Sequence, residues 1–194
     1  MGYGRSSPVR LLLDHCGLPF DYKGYDFPEW GAVKGAGQGG EFGGLPRVCI
    51  NGEEFGQSMA SLRMMGSKKG LYFPNDWKCA AYCDTILDAW VDLLNKLSAV
   101  SFEIAPDGSN MEAVSPKADD VIEKVHVPLI KYMEKQLTDL GTTYIAGDKP
   151  TIADVVMCTC LVDMWENPAG PWSSKFTPIL SQYPKVTAYN KTLR

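Results

Sequence analysis

The stretch Leu45-Pro46-Arg47-Val48-Cys49-Ile50-Asn51-Gly52-Glu53-Glu54-Phe55-Gly56-Gln57-Ser58 decides the fold. Val48 to Ile50 reads as a strand. Asn51-Gly52 is the dipeptide that fits a two-residue hairpin turn, and Glu53 to Phe55 can return antiparallel. A helix is expected to start at once, with Ser58 as its N-cap. Met59, Leu62, Arg63 and Met65 form one largely apolar face, and Gly66 and Gly70 are the stop signals. Free N–H donors and a hydroxyl then stand together beside a strand end, where a small anion can be held. Proline at Pro46 gives up a donor, is often cis, and leaves the backbone of Leu45 free to pair with an extended ligand.

Upstream, Ser7 to Gly17 predicts a helix with Ser7 as N-cap, Pro8 at the first position and Gly17 as the stop. Phe20 to Tyr25 alternates aromatic and polar residues and predicts a half-buried strand. Pro28 to Val33 predicts a brief helix carrying Trp30. Gly35, Gly37 and Gly40 fall at G-x-G-x-x-G spacing, but a helical turn precedes them and Leu45-Pro46 follows, so they read as a flexible loop and not a dinucleotide fingerprint.

Lys68 to Trp77 has the composition of a linker, and the character of the chain changes after it. Asp76 to Val100, Ser115 to Leu140, Thr151 to Trp165 and Pro178 to Thr192 all show helical periodicity. An α/β domain over residues 1–73 followed by an all-α domain over residues 74–194 is the organisation this implies. Thr151-Ile152-Ala153-Asp154 is a capping box opening a helix that is apolar almost all round, and so central to the second domain.

A net charge of −4, with no Lys/Arg cluster interleaved with aromatics, argues against nucleic acid. No apolar run reaches the length of a membrane span and no signal pattern opens the chain, so a cytoplasmic protein without membrane contact is expected. Six cysteines in a chain of this length read as free, buried thiols. The two histidines, His15 and His126, lie at no metal-ligand spacing, so neither a metal nor a cofactor is expected.

Together the Leu-Pro pair, the hairpin, the Gln-Ser pair and the helical second half resemble the cytosolic glutathione transferases along nearly the whole chain, closest to the sigma- and mu-like classes. The resemblance implies a thioredoxin-like N-terminal domain, an all-helical C-terminal domain, glutathione and a small electrophile as ligands, and a homodimer. Arg10 to Gly17 resembles the family's first helix. By resemblance, Trp30 and Lys34 meet the glycyl end of glutathione, Leu45 and Pro46 its cysteinyl backbone, and Gln57 and Ser58 its γ-glutamyl group. Asp92, third in the stripe Asp84, Asp88, Asp92, reaches across a dimer to the other subunit's γ-glutamyl amine, while Arg5 adds field near the thiol. The stripe by itself reads equally as a solvated face. Tyr144 to Asp148, with Asp154, resembles the family's late buried helix, and Tyr183 to Val186 the turn before its last helices.

Two departures stand beside the resemblance. The catalytic tyrosine of these classes ends a first strand, and counting back from Arg10 runs off the front of this chain. Three alternatives follow: Tyr3 serves from a shortened loop, Ser6 serves from Ser6-Ser7-Pro8 as in serine-type classes, or the first strand is lost. A second functional reading is a non-catalytic binding or scaffold member that keeps Gln57 and Ser58 but lacks a working hydroxyl. Gly44 also stands where sigma-like members carry a lysine. A glutaredoxin-type oxidoreductase would need a nucleophilic cysteine where Ser6, Ser7 and Pro8 stand.

Overall fold

A computed structural model describes residues 4–194. The chain divides into two compact units, the first ending at Gly70 and the second spanning Leu71–Arg194.

The first unit holds α1 (Ser7–His15), α2 (Phe27–Gly35), a hairpin of β1 (Val48–Ile50) and β2 (Glu53–Phe55), and α3 (Ser58–Lys69). The hairpin pairs Ile50 with Glu53, so Asn51-Gly52 is its whole loop, with φ of 53° and 84°. Both central residues need positive φ in this turn, and Asn-Gly supplies them at low cost. Helix α1 packs on α3, burying Val9 and Leu12 on one side and Met59, Leu62 and Met65 on the other.

Several expectations are corrected here. Phe20–Tyr25 does not form a strand. Its alternation is genuine, but among the described residues the sheet has two strands only, and an extended segment without a neighbour has no ladder to join. Its aromatics instead take cations, the Arg10 guanidinium lying 4.3 Å from the Tyr22 ring centroid and the Lys23 ammonium 4.8 Å from that of Tyr25. Ser6, not Ser7, is the N-cap of α1, and that helix ends at His15. Gln57, not Ser58, caps α3: its carbonyl accepts the first intrahelical bond, from Ser61 N at 3.1 Å, and Ser58 is the first helical residue. The helix runs through Gly66, which is buried, and ends at Gly70 in the left-handed conformation.

The second unit is entirely helical: α4 (Trp77–Ser101), α5 (Met111–Val121), α6 (Val127–Leu140), α7 (Ile152–Cys158), α8 (Ser173–Leu180) and α9 (Pro184–Leu193). Asp76 caps α4 by accepting from Cys79 N at 3.1 Å. Cys83, Ile86, Leu87, Trp90, Leu93, Leu94 and Leu97 put the buried stripe of α4 at three- and four-residue spacing, and it lies against α7. Every residue from Ile152 to Met157 is buried, which makes α7 the central helix. The Asp154 carboxylate reaches back to its N-cap, accepting from Thr151 N at 2.7 Å and Thr151 Oγ1 at 2.8 Å.

Two helical stretches are wider than expected. Ile122–His126 between α5 and α6, and Thr159–Trp165 after α7, are π-helical. The expected last helix is two, α8 and α9, broken at Tyr183 before Pro184. Glu134 of α6 caps the start of α9, accepting from Val186 N at 2.9 Å and Lys185 N at 3.2 Å. Among the described residues no helix is long and apolar enough to cross a membrane. All six cysteines are free, but only Cys83 and Cys160 are buried, and Cys49 on β1 is exposed.

Candidate functional site

Where the hairpin meets α3, the first unit opens a cavity of about 410 Å³. The deciding stretch supplies its wall. Leu45, Pro46 and Arg47 enter β1, Glu54 leaves β2, and Gly56, Gln57 and Ser58 lead into α3; Arg5 and the loop residues Gly39 to Phe42 complete the lining with Gly44. The Leu45-Pro46 peptide is cis.

The start of α3 gives the cavity its polarity. Gln57 has φ 62° and ψ 95°, a conformation strained for a residue with a side chain, and it turns the chain sharply from β2 into the helix. Among the described residues no side chain caps α3, so its first N–H groups face the cavity end with the positive pole of the helix behind them. The arrangement can accept one carboxylate at Ser58, and it offers Leu45 as a backbone partner for an extended ligand.

Five of the expected site residues therefore come together: Arg5, Leu45, Pro46, Gln57 and Ser58 line one cavity. Trp30 and Lys34 stand just outside the lining. The Trp30 ring centroid is 5.8 Å from the Arg47 guanidinium carbon, and Lys34 runs along Gly39 and Gly43. Ser6 adjoins Arg5 and caps α1 without a side-chain hydrogen bond, but it is not a lining residue. Tyr3 lies outside the described residues. Asp92 is exposed on α4 in the second unit. Its stripe is not uniform, because Asp84 accepts from the Tyr72 hydroxyl at 3.0 Å while Asp88 and Asp92 are exposed.

Arg47 and Glu54 are what the sequence reading missed. Arg47 Nη1 donates to Glu54 Oε2 at 2.9 Å. The hairpin register pairs Val48 with Phe55, and continuing it by one step sets residue 47 against 56, so 47 and 54 are diagonal neighbours on one face. The register needed only the two-residue turn, so the signal was in the sequence. The glycine loop was read as flexible, yet part of it is a close fit. A Cβ on Gly40, which has φ +71°, would stand 3.1 Å from Arg47 Cδ.

Comparison with known proteins agrees with this architecture. The family model for the glutathione S-transferase C-terminal domain matches residues 91–194, more than half of the chain. Glutathione S-transferase 1 of Ascaris suum is 26% identical over 193 residues, covering 98% of this chain and 86% of the relative. Glutathione S-transferase 4 of Caenorhabditis elegans is 25% identical over 162 residues, covering 84% and 76%. The crystal structure of the glutathione S-transferase Blo t 8 superposes with a TM-score of 0.80 at 26% identity, covering 97% of this chain and 82% of that one. A thioredoxin-like unit followed by the helical domain of this kind, matched over most of its length, means that the chain belongs to the glutathione S-transferase family.

Proposed function

We propose that this protein is a glutathione transferase of the sigma- or mu-like kind. In this reading it joins the glutathione thiolate to small electrophilic or apolar substrates in the cytoplasm, and it works as a homodimer. Residues 1–73 act as the glutathione-binding domain and residues 74–194 as the helical domain. The observation that carries the reading is the cavity itself, in which the backbone of Leu45 and Pro46 and the helix start at Gln57 and Ser58 line one groove in a member of this family. A tripeptide laid along Leu45 seats its γ-glutamyl carboxylate on the Ser58 end of α3, with the Gln57 amide beside it. Trp30 and Lys34 serve the glycyl end. Asp92 of one subunit meets the γ-glutamyl amine bound to the other.

The chemistry is activation of a thiol. A cysteine thiol titrates at about 8.5, so only a small fraction is nucleophilic thiolate at neutral pH. A hydroxyl donating to the sulfur, with a cation nearby, favours the anion. Tyr3 or Ser6 is that donor and Arg5 the cation. Glutathione is a co-substrate, and the mechanism requires no metal or other cofactor. The thiolate attacks the electrophilic carbon: a C–S bond forms as the bond from that carbon to its leaving group breaks, chloride departing in the case of a chloro-nitrobenzene, and the thiol proton passes to solvent.

Retention on immobilised glutathione tests the binding half. The wild-type protein is expected to bind and Gln57→Ala/Ser58→Ala to pass through; retention of the double variant would end this reading. For the catalytic half, conjugation of a chloro-nitrobenzene is compared in Tyr3→Phe and Ser6→Ala. Loss of the donor costs about 10-fold or more in rate, so the variant that falls identifies it. A chain that is retained on the resin but conjugates nothing favours the non-catalytic, scaffold alternative.

A further inference from the structure

The cavity holds one more relationship, between Arg47 and Glu54. Both line it, and they are joined at 2.9 Å. The Arg47 side chain is 21% exposed and Glu54 53% exposed, so the arginine is the better packed partner and the glutamate the one more open to solvent. A Cβ on Gly40 would press on the Arg47 stem, so the loop packs closely over it, and Trp30 stands beside its guanidinium. A guanidinium held this way keeps its place whether or not its counter-ion leaves.

We infer that Glu54 is a built-in competitor for the anion position of Arg47, and that a ligand's second carboxylate binds by displacing it. The inference rests on the proposal that the cavity takes glutathione. That ligand carries two carboxylates at opposite ends of an extended chain, and the α3 start can take only one of them. The other lies at the glycyl end with Trp30 and Lys34, where Arg47, beside the Trp30 ring, adds a lining cation with a planar fork suited to bidentate carboxylate binding. The Glu54 carboxylate already accepts from one arm of that fork, Nη1. Ligand binding then exchanges one ion pair for another, and affinity is set by the difference. Neutralising Glu54 removes the competitor and leaves the cation, whereas neutralising Arg47 removes the anchor.

Calorimetric titration with glutathione and with its glycyl monoethyl ester, which lacks the second carboxylate, tests this on the full chain. The wild type is expected to bind glutathione more tightly than the ester. Glu54→Gln is expected to tighten glutathione about two- to fivefold, the range of an exposed ion pair, and to leave the ester unchanged. Arg47→Gln is expected to weaken glutathione about tenfold and to shrink the preference over the ester by the same factor, leaving what Lys34 supplies. Equal wild-type affinity for acid and ester overturns the inference without need of any variant. So does a Glu54→Gln protein that binds glutathione no better, or an Arg47→Gln protein whose preference is undiminished. A wild type that binds neither compound refutes the glutathione reading itself, and this inference falls with it.

Discussion

The indole N–H of Trp165 donates to Nδ1 of His126 at 2.9 Å, and each residue is the last of a π-helical stretch. The Phe176 ring lies 5.1 Å from the His126 ring and 5.2 Å from that of Trp165, stacked on the latter at 17°. A π turn swings its side chains out of the α-helical register, and here two such turns bring a histidine and a tryptophan into one aromatic layer. Because Nδ1 accepts, the ring's proton is on Nε2, which is buried without a hydrogen-bond partner among the described residues.

This histidine predicts an acid-sensitive second unit. Burial pushes its pKa down to about 3, below the usual range near 6.5 for an unfolded chain. Between those values the unfolded state binds a proton that the folded state refuses, so stability rises with pH across the window and falls as pH drops through it, by about 1.4 kcal/mol per unit from this group. Urea titrations from pH 7 to pH 4 are expected to show that slope. His126→Gln, which keeps an acceptor for Trp165, is expected to lose it; an unchanged slope assigns the acid sensitivity elsewhere.

Asp154 predicts a coupled loss at the centre of α7. Its carboxylate accepts four hydrogen bonds, two from Thr151, one from Ile145 N at 3.0 Å and one from the Tyr189 hydroxyl at 2.6 Å. Burial holds its pKa above the ordinary carboxylate range in spite of them, and pushes that of Tyr189 well up. Asp154→Asn turns acceptors into donors that face donors and is expected to cost about 2–4 kcal/mol, and Tyr189→Phe about 1–2 kcal/mol. Since both changes break one network, the double variant is expected to cost less than the sum. Strict additivity in denaturation free energies would show that the two residues act apart.

The cysteines divide by burial in a way that thiol titration can read. Burial raises Cys83 to about 12 and Cys160 well above the usual thiol range, and it also raises Cys79 and Cys158. Thiolate is the reacting form, so these four are expected to resist an aromatic disulfide reagent in the folded protein. Cys49, exposed on β1, is expected to give the fast phase, and Cys49→Ser to remove it. A fast phase surviving that change would mean that another thiol is open in solution.

Much of this was legible in the residues. Asn51-Gly52 set the hairpin loop and with it the register, and the Thr151-to-Asp154 spacing marked the start of the central helix, because both are local signals with one backbone solution each. What escaped was set by partners distant in sequence. Phe20–Tyr25 alternates like a strand, but pairing depends on a neighbour that periodicity does not report. The π turns at His126 and Trp165 answer to each other across the unit, and nothing in either helix alone announces them. In the cavity, Gln57 and Ser58 stand out by their place before a helix, while Arg47 and Glu54 each look like an ordinary exposed charge until the register sets them diagonally on one face of the hairpin.

Gln57 gives a prediction in which stability and binding move in opposite directions. At φ 62° and ψ 95° it holds a backbone conformation that costs a side-chain-bearing residue about 1–3 kcal/mol, and its side chain is exposed, so no packing within the chain accounts for it. Glycine takes positive φ without that penalty, although it gives back part of the gain through greater freedom in the unfolded chain. Gln57→Gly is therefore expected to raise the melting temperature by a few degrees, on the scale of about 1 kcal/mol. In the same protein the amide beside the α3 start is gone, so retention on immobilised glutathione is expected to fall. Gln57→Ala, which keeps the Cβ and hence the strain, is expected to lose retention with no gain in melting temperature. The pair separates the two roles: strain belongs to the backbone and recognition to the amide. If Gln57→Gly melts lower than the wild type, the conformation is not a stored cost, and the residue's hold on the turn must come from contacts of its side chain.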